Sequence, residues 1–396
     1  MTDTAQQSGH TFDWTSQEFL RDPYVHYKRL RETNPIHFNE ARGSWILTRY
    51  NDMAEVLRDH ERFSAERTGP ANYSTDEMPR SMLGSDPPHH TRLRTLVNKA
   101  FTARTVERLR QRIQQIVDGL LDEVADQRGM EAIVDFAYPL PITVIAEMLG
   151  VPASDRDFFR DASSKIAVAL GPLNDVNVAM AALEGRNQLI GYFNDLIPKR
   201  KGDPRDDLIS AMLAAEEAGD FLSHGELLAM LLLLLVAGHE TTVNLIGNGL
   251  LALLRHPEQA ERLRTDESIE RSAVEEFLRY DSPVQFTGRL VMEDFELGGH
   301  TIKKGMGLST IVASANRDPD VFTDPDVLDL GRDPCPHLSF SAGIHYCLGA
   351  QLARLEGQIA LSTVVRRFPN MQIATEDLEW RPAPILRGLV ALPVTF

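Results

Sequence analysis

Of the two cysteines in the chain, Cys335 and Cys347, the second stands in a setting suited to metal chemistry. It lies in Phe340-Ser341-Ala342-Gly343-Ile344-His345-Tyr346-Cys347-Leu348-Gly349, a run of small residues leading into Leu348, Leu352, Leu355 and Ile359 at helical spacing. A sulfur at a helix start meets free backbone N–H groups and the positive end of the macrodipole. Both favour the thiolate, the form that ligates a metal such as iron. Gly343 and Gly349 would let the backbone approach a flat ligand closely. Taken alone, such a cysteine is as readily an inert core residue beside a glycine loop.

Three other constellations could do chemistry. In Asp86-Pro87-Pro88-His89-His90-Thr91-Arg92-Leu93-Arg94, His90 and Arg94 are four apart, on one helical face, where they could grip a carboxylate. The plain alternative is an exposed basic turn. Ala237-Gly238-His239-Glu240-Thr241-Thr242 puts a carboxylate and hydroxyls inside an apolar run, which costs stability unless they find partners. Thr hydroxyls that bond the carbonyl one turn back can loosen the backbone ladder and open a groove beside a ligand. A solvent-facing His–Glu turn is the alternative. Glu276 and Arg279, three apart, form an intrahelical pair of a common kind.

The elements that position these residues can be read from pattern. Ser223-His224-Gly225-Glu226 is a capping box, and the helix it opens, Leu227 to Leu254, is apolar nearly all round and predicts a central, buried position. Pro87 and Pro88 mark the entry to a helix carrying His90 and Arg94. After Phe101 a stripe of Val106, Leu109, Ile113 and Ile116 predicts one continuous helix, with Arg104, Arg108 and Arg112 on another face, a dock for an acidic partner or a solvated face. Pro139 to Pro152 reads as a packing helix closed by Gly150. Ile36–Phe38 and Trp45–Leu47 read as strands around a turn at Arg42-Gly43, and Asn51 as the cap of a helix running through Leu57. Arg67 to Ser85 reads as a mobile loop. Ala167 to Arg200 carries little pattern. More strands are expected around Phe295 to Met306, and a hairpin over Met371 to Phe396.

Composition bounds the function. The 396 residues include 43 % hydrophobic and 25 % charged, the balance of a globular protein. A net charge of −16 argues against a nucleic-acid partner. Two cysteines suggest no disulfide framework and suit a reducing cytosol. The polar start, Met1 to His10, shows no apolar signal region, and Leu227 to Gly238 is too short an apolar run to span a bilayer. The expectation is a cytoplasmic protein without a membrane anchor.

Together these motifs resemble the cytochromes P450. Phe340, Gly343, His345, Cys347 and Gly349 match the haem loop Phe-Gly-x-Gly-x-His/Arg-x-Cys-x-Gly, with Ser341 in place of the first glycine. The second motif is similar to Asp-Pro-Pro-x-His-x-x-x-Arg, the third to Ala/Gly-Gly-x-Asp/Glu-Thr, and Glu276/Arg279 to Glu-x-x-Arg with Arg332 as the third member. The resemblance runs from about Asp22 to the end. It implies one mainly α P450 domain over residues 1–396 with a small β region. It implies haem b (iron protoporphyrin IX) with Cys347 as axial thiolate, and His90, Arg94, Arg289 and His345 as partners of its propionates. Glu240 and Thr241 would be the acid–alcohol pair that relays protons, and Gly238 would leave room for oxygen. Val284, Phe286 and Ile385 would border the substrate, and the region between Ala167 and Arg200 would cover the pocket.

The implied activity is a monooxygenase that uses O2, a small apolar substrate, and electrons from a separate ferredoxin and ferredoxin reductase. A peroxide-driven or redox-neutral P450, a non-catalytic haem sensor, and a haem-free helical interaction protein are the alternatives. The presence of both Glu240 and Thr241 weighs against the first two.

Overall fold

A computed structural model describes residues 14, 16–40, 42–66, 79–168, 176–215 and 219–396. The expected mobile loop falls largely outside the described residues.

The central helix, His224–Arg255, runs 32 residues. Ser223 accepts from the Glu226 backbone while Glu226 reaches back to the Ser223 N–H, so the capping box forms on both sides. By length and composition the helix could cross a membrane, yet most of it is enclosed by the rest of the protein. Its apolar side chains on every face are satisfied by neighbours: Pro139–Leu149 on one side and Ala350–Arg367, the helix after the cysteine loop, on another. Pro139–Leu149 ends at Gly150, in the left-handed region at φ 75°.

The helix predicted after Phe101 is broken. Ala103–Arg108 and Arg110–Val124 are separate helices hinged at Leu109. The arginine row is correspondingly divided, and Arg112 is held by Glu147 at 2.8 Å across the gap to the neighbouring helix. Asn51 does not cap its helix. The helix Tyr50–Arg58 starts one residue earlier, and its Tyr50 N–H is taken by Asp318, 268 residues away, at 2.8 Å. A remote carboxylate thus replaces the local cap. The weakly patterned stretch contains a single long helix, Val176–Gly202, packed on Arg156–Val168.

The β structure is small. A five-stranded sheet runs in the order Ile36–Asn39, Ser44–Leu47, Gly307–Thr310, Thr287–Val291, Phe63–Ser64. Its one parallel pairing joins Ser44–Leu47 to Gly307–Thr310. The C-terminal strand Pro393–Thr395 pairs with both Gln372–Ile373 and Gly129–Glu131. This mainly helical architecture with a minor β region is the one expected.

Candidate active site

The cysteine loop is tied at both ends. The Cys347 N–H donates to Phe340 O at 2.8 Å, closing a ring of backbone around the small residues. Gly343 sits at φ 67°, and a Cβ there would lie 2.7 Å from Leu57 O, so only glycine fits against the end of Tyr50–Arg58. Ser341 adopts φ 63°, the left-handed conformation that glycine takes without cost, and its hydroxyl is buried without a hydrogen-bond partner among the described residues. The turn therefore forms with serine, at some strain.

Cys347 is open to space, and its thiol is nonetheless crowded enough that burial raises its pKa. The backbone N–H of Gly349, the Arg94 and Arg354 guanidiniums, and the Ala350 N–H pull the other way. The helix itself begins at Ala350, so the sulfur stands just ahead of it and takes the N–H groups of its first turn. A Cβ at Gly349 would come 4.0 Å from the sulfur.

Two clusters brace this loop, and only the second, Glu276 with Arg279 and Arg332, was singled out from the sequence. Glu275 takes His337 at 2.9 Å and Arg354 at 2.5 Å, and despite burial these partners hold its carboxyl at about 2. Beside it, Glu276 and Arg279, both fully buried, pair at 2.6 Å, and Arg332 joins Glu276 at 3.0 Å. Arg279 also donates to the carbonyls of Asn316, Pro325 and Val327, so the buried charges are satisfied all round. Only the pairing of Glu276 with Arg279 was legible from spacing. Glu275, its neighbour, carries no signal that separates it from any helical glutamate.

On the facing side lie His90, Arg94, Arg289 and His345. The His90 and His345 rings stand 4.4 Å apart between centroids. Both His90 nitrogens and His345 Nε2 are buried without hydrogen-bond partners among the described residues. His345 is pushed down to about 3 by burial, by Arg289, by His90, by Arg94 and by His60. Burial and Arg94 likewise lower His90. His60, which was not singled out from the sequence, is near enough to add to both shifts. Unpartnered imidazole nitrogens beside the Arg94 and Arg289 guanidiniums are what a dianion with two carboxylates would engage. With an open sulfur, this donor set fits haem: a thiolate for iron and a cationic rim for the propionates.

Along the central helix, Ala237 is exposed and Thr241 half-buried, while most of their neighbours are buried. Thr241 Oγ1 donates to Ala237 O at 2.9 Å, and Thr242 Oγ1 to Gly238 O at 3.4 Å. Both hydroxyls thus bond one turn back, the arrangement that loosens a helix. A Cβ at Gly238 would meet Ile145 of Pro139–Leu149 at 3.4 Å, an ordinary contact. His239 and Glu240 are buried, not solvent-facing. Glu240 is held by Arg381 at 2.7 Å and by Ser164 at 3.1 Å, with His239 Nε2 at 3.4 Å.

Val284 and Ile385 come together in one apolar cluster with Val236, Leu386, Ala167 and Ile166. Val284 and Leu386 are bridged backbone to backbone, so the C-terminal turn does reach this cluster. Phe286 packs elsewhere, edge-on to Trp14 with centroids 5.8 Å apart. Its neighbour Gln285 bonds into the backbone at Ile385 O and Ser282 O, and the segment stays irregular up to the strand that starts at Thr287.

The cytochrome P450 family profile matches residues 27–151 and 184–379. The chain is 44 % identical to cytochrome P450 107B1 of Saccharopolyspora erythraea over 394 residues, 95 % of each chain. It is 43 % identical to the vitamin D(3) 25-hydroxylase of Pseudonocardia autotrophica, covering 97 % of this chain and 96 % of that one. Among solved structures, the cytochrome P450 PksS of the Bacillus subtilis 168 bacillaene polyketide synthase superposes with a TM-score of 0.90 at 41 % identity, over 97 % of this chain and 99 % of that one.

Proposed function

The chain belongs to the cytochrome P450 family, and from its site we propose a monooxygenase that places one atom of O2 into a C–H bond of a small, largely apolar organic molecule. The family makes it a haem-thiolate oxidoreductase that uses O2 and redox partners. When bound, the haem supplies the oxidative chemistry. This chain's residues bind it, orient the substrate, exclude water and move protons.

Cys347 Sγ would ligate the iron, with the N–H groups of Gly349 and Ala350 moderating its charge. His90, Arg94, Arg289 and His345 would take the propionates of haem b. The Thr241 hydroxyl, half-buried where most of its neighbours are buried, would present a proton on the oxygen side, and Glu240 would resupply it. Val284, Ile385 and Val236 would form an apolar wall for the substrate, and Phe286 is left out of it. Two of the relatives named above are a vitamin D hydroxylase and a P450 of polyketide synthesis, which favours a lipophilic substrate. With two cysteines, one of them Cys347, the chain cannot supply the thiolates of an iron–sulfur cluster, so a ferredoxin with its reductase is the proposed electron source. The same two cysteines, free of disulfides, suit the cytosol, and residues 1–396 read as one domain.

The observation that carries this reading is the pairing of an open cysteine with the buried His90 and His345 ring nitrogens, which have no hydrogen-bond partner among the described residues. Absorbance titration of the haem-loaded protein against fatty acids, steroids, terpenoids and macrolides tests it. A saturable blue shift of the Soret band with one class, followed by oxygenated product from that compound, is the expected result. A protein that takes up no haem on reconstitution would sink the proposal.

A further inference from the structure

Resting on the apolar wall proposed above, we propose that Arg387 is the positioning residue of that wall, and that the helix Gln17–Arg21, which it grips, is thereby part of the substrate site. The wall residue Ile385 and its neighbour Leu386 lie at the tip of a narrow hairpin, residues 379–390, that forms isolated bridges, Trp380 to Leu389 and Leu386 to Val284. The tip hangs on residues 283–285 by two backbone bonds, Arg387 N–H to Pro283 O at 2.8 Å and Gln285 N–H to Ile385 O at 2.9 Å. A loop tip held this lightly takes its place from its side-chain anchors.

Arg387 is the anchor. Its side chain is 7 % exposed, and its donors go to three places. Nε donates to Asp281 Oδ1 at 2.7 Å, Nη1 to Leu20 O, and Nη2 to Arg21 O at 3.2 Å. The guanidinium also lies over the Trp380 ring at 3.5 Å and stands 5.7 Å from the Tyr24 ring. Asp281 is the C-cap residue of Glu270–Tyr280, and the Tyr24 hydroxyl donates to the same Oδ1 at 2.8 Å. Leu20 and Arg21 offer the last carbonyls of Gln17–Arg21, which have no partner within their own helix. That helix grips the hairpin stem as well. Gln17 Nε2 donates to Trp380 O at 2.9 Å, and the Trp380 N–H donates to Gln17 Oε1 at 3.2 Å. One buried cation thus ties the tip to the stem, to the end of Glu270–Tyr280, and to a helix 367 residues earlier in the chain. Its loss would leave a buried carboxylate without its cation and two helix carbonyls unmet.

The backbone of the same residue sets the tip on the central helix. Asn248 Nδ2 donates to Arg387 O at 3.1 Å, and a Cβ at Gly388 would overlap the Asn244 amide. Asn244 and Asn248 follow Thr241 by three and seven residues, so all three share one helical face. The tip therefore rests on the face that carries Thr241, and Arg387 fixes how far Ile385 and Leu386 stand from that hydroxyl.

The test uses the ferric, haem-loaded protein and two probes that bind the iron through an imidazole nitrogen, both read from the red shift of the Soret band. Imidazole is too small to need a wall, whereas the alkyl chain of 1-dodecylimidazole needs an apolar one. In Arg387→Gln the dissociation constant of 1-dodecylimidazole is expected to rise by roughly 10- to 100-fold, the scale on which a misplacement of about 1 Å is felt, while that of imidazole stays as in the wild type. Gln17→Ala removes the helix's hold on Trp380 and keeps the Arg387 ion pair, so it should weaken the long probe alone, by less. Unchanged affinity for the long probe in Arg387→Gln, or in Gln17→Ala should Arg387→Gln not fold, overturns the proposal. Equal weakening of both probes, which a general loosening of the fold would give, also overturns it. Ile385→Ala separates the two readings. If it leaves the long probe unaffected, the wall reading fails and the positioning role with it. If it weakens the long probe and Arg387→Gln does not, the positioning role alone falls.

Discussion

Glu356 gives the sharpest stability prediction. It sits on Ala350–Arg367 with 1 % of its surface exposed, and neither carboxyl oxygen has a hydrogen-bond partner among the described residues. Burial lifts its pKa from 4.5 to about 8, and the Thr242 hydroxyl opposes this weakly without completing a hydrogen bond. The folded pKa is the higher one, so the folded chain keeps a proton that the unfolded chain releases. Stability is fully present below pH 4.5 and is lost progressively up to pH 8, where the folded group ionises as well. The interval is worth about 5 kcal/mol at ~1.4 kcal/mol per pH unit, an upper figure because buried groups relax and admit water. Glu356→Gln keeps the volume and removes the titration. It should be near neutral at pH 5 and stabilise by roughly 2 to 5 kcal/mol at pH 8.5. Urea unfolding of the haem-loaded proteins, followed by far-UV circular dichroism at pH 5, 7 and 8.5, measures this. Comparing variants at one pH cancels the contribution of the bound cofactor. With a slope near 3 kcal/mol per M, the midpoint should rise by about 0.7 to 1.7 M at the highest pH. Parallel pH dependences for the wild type and Glu356→Gln would show that Glu356 is not a neutral buried acid, and the burial argument would be wrong.

Four further outcomes are expected. Cys347→Ala should keep the far-UV spectrum and lose the thiolate signature of the reduced carbon monoxide complex; a retained signature would remove Cys347 as ligand. Thr241→Ala should divert electrons to hydrogen peroxide while substrate binding, read from the Soret shift, stays as it was. Ser341→Gly should stabilise by about 1 kcal/mol, since the left-handed conformation costs a serine about 1 to 2 kcal/mol and glycine repays part of that in chain entropy; a lower melting temperature would mean that the serine hydroxyl has a partner. Glu275→Gln should loosen the cysteine loop, and its cost should be full above pH 4.5 and fade as pH falls towards 2, because the folded carboxyl is held down by His337 and Arg354. Haem retention during gel filtration at pH 7 and pH 3.5 reads this directly.

Local pattern and global packing divided the information in this chain. The capping box at Ser223 worked because both of its partners lie within one turn, so no other part of the molecule was needed to form it. The cap of Tyr50–Arg58 could not be read, because its acceptor, Asp318, lies 268 residues away. The break at Leu109 was invisible to periodicity, since the apolar stripe passes through it unchanged: Val106 and Ile113 are both buried. Val284 and Phe286 looked alike in sequence, and two residues apart they would share a face of a strand, yet the segment is irregular and they join different clusters.

The sequence by itself determined which chemical groups exist and which of them share a helical face or a tight loop: Cys347 with its small-residue loop, His90 with Arg94, Glu276 with Arg279, Glu240 beside Thr241. Those relations follow from chain geometry over a few residues, which every fold containing the segment inherits. Only the tertiary structure decided who answers each charge. Arg381 on Glu240, Glu275 on the cysteine loop and the empty surroundings of Glu356 all join residues far apart in the chain. A buried charge must be satisfied by whatever the fold brings within about 3 Å, and that choice is made by packing, not by spacing.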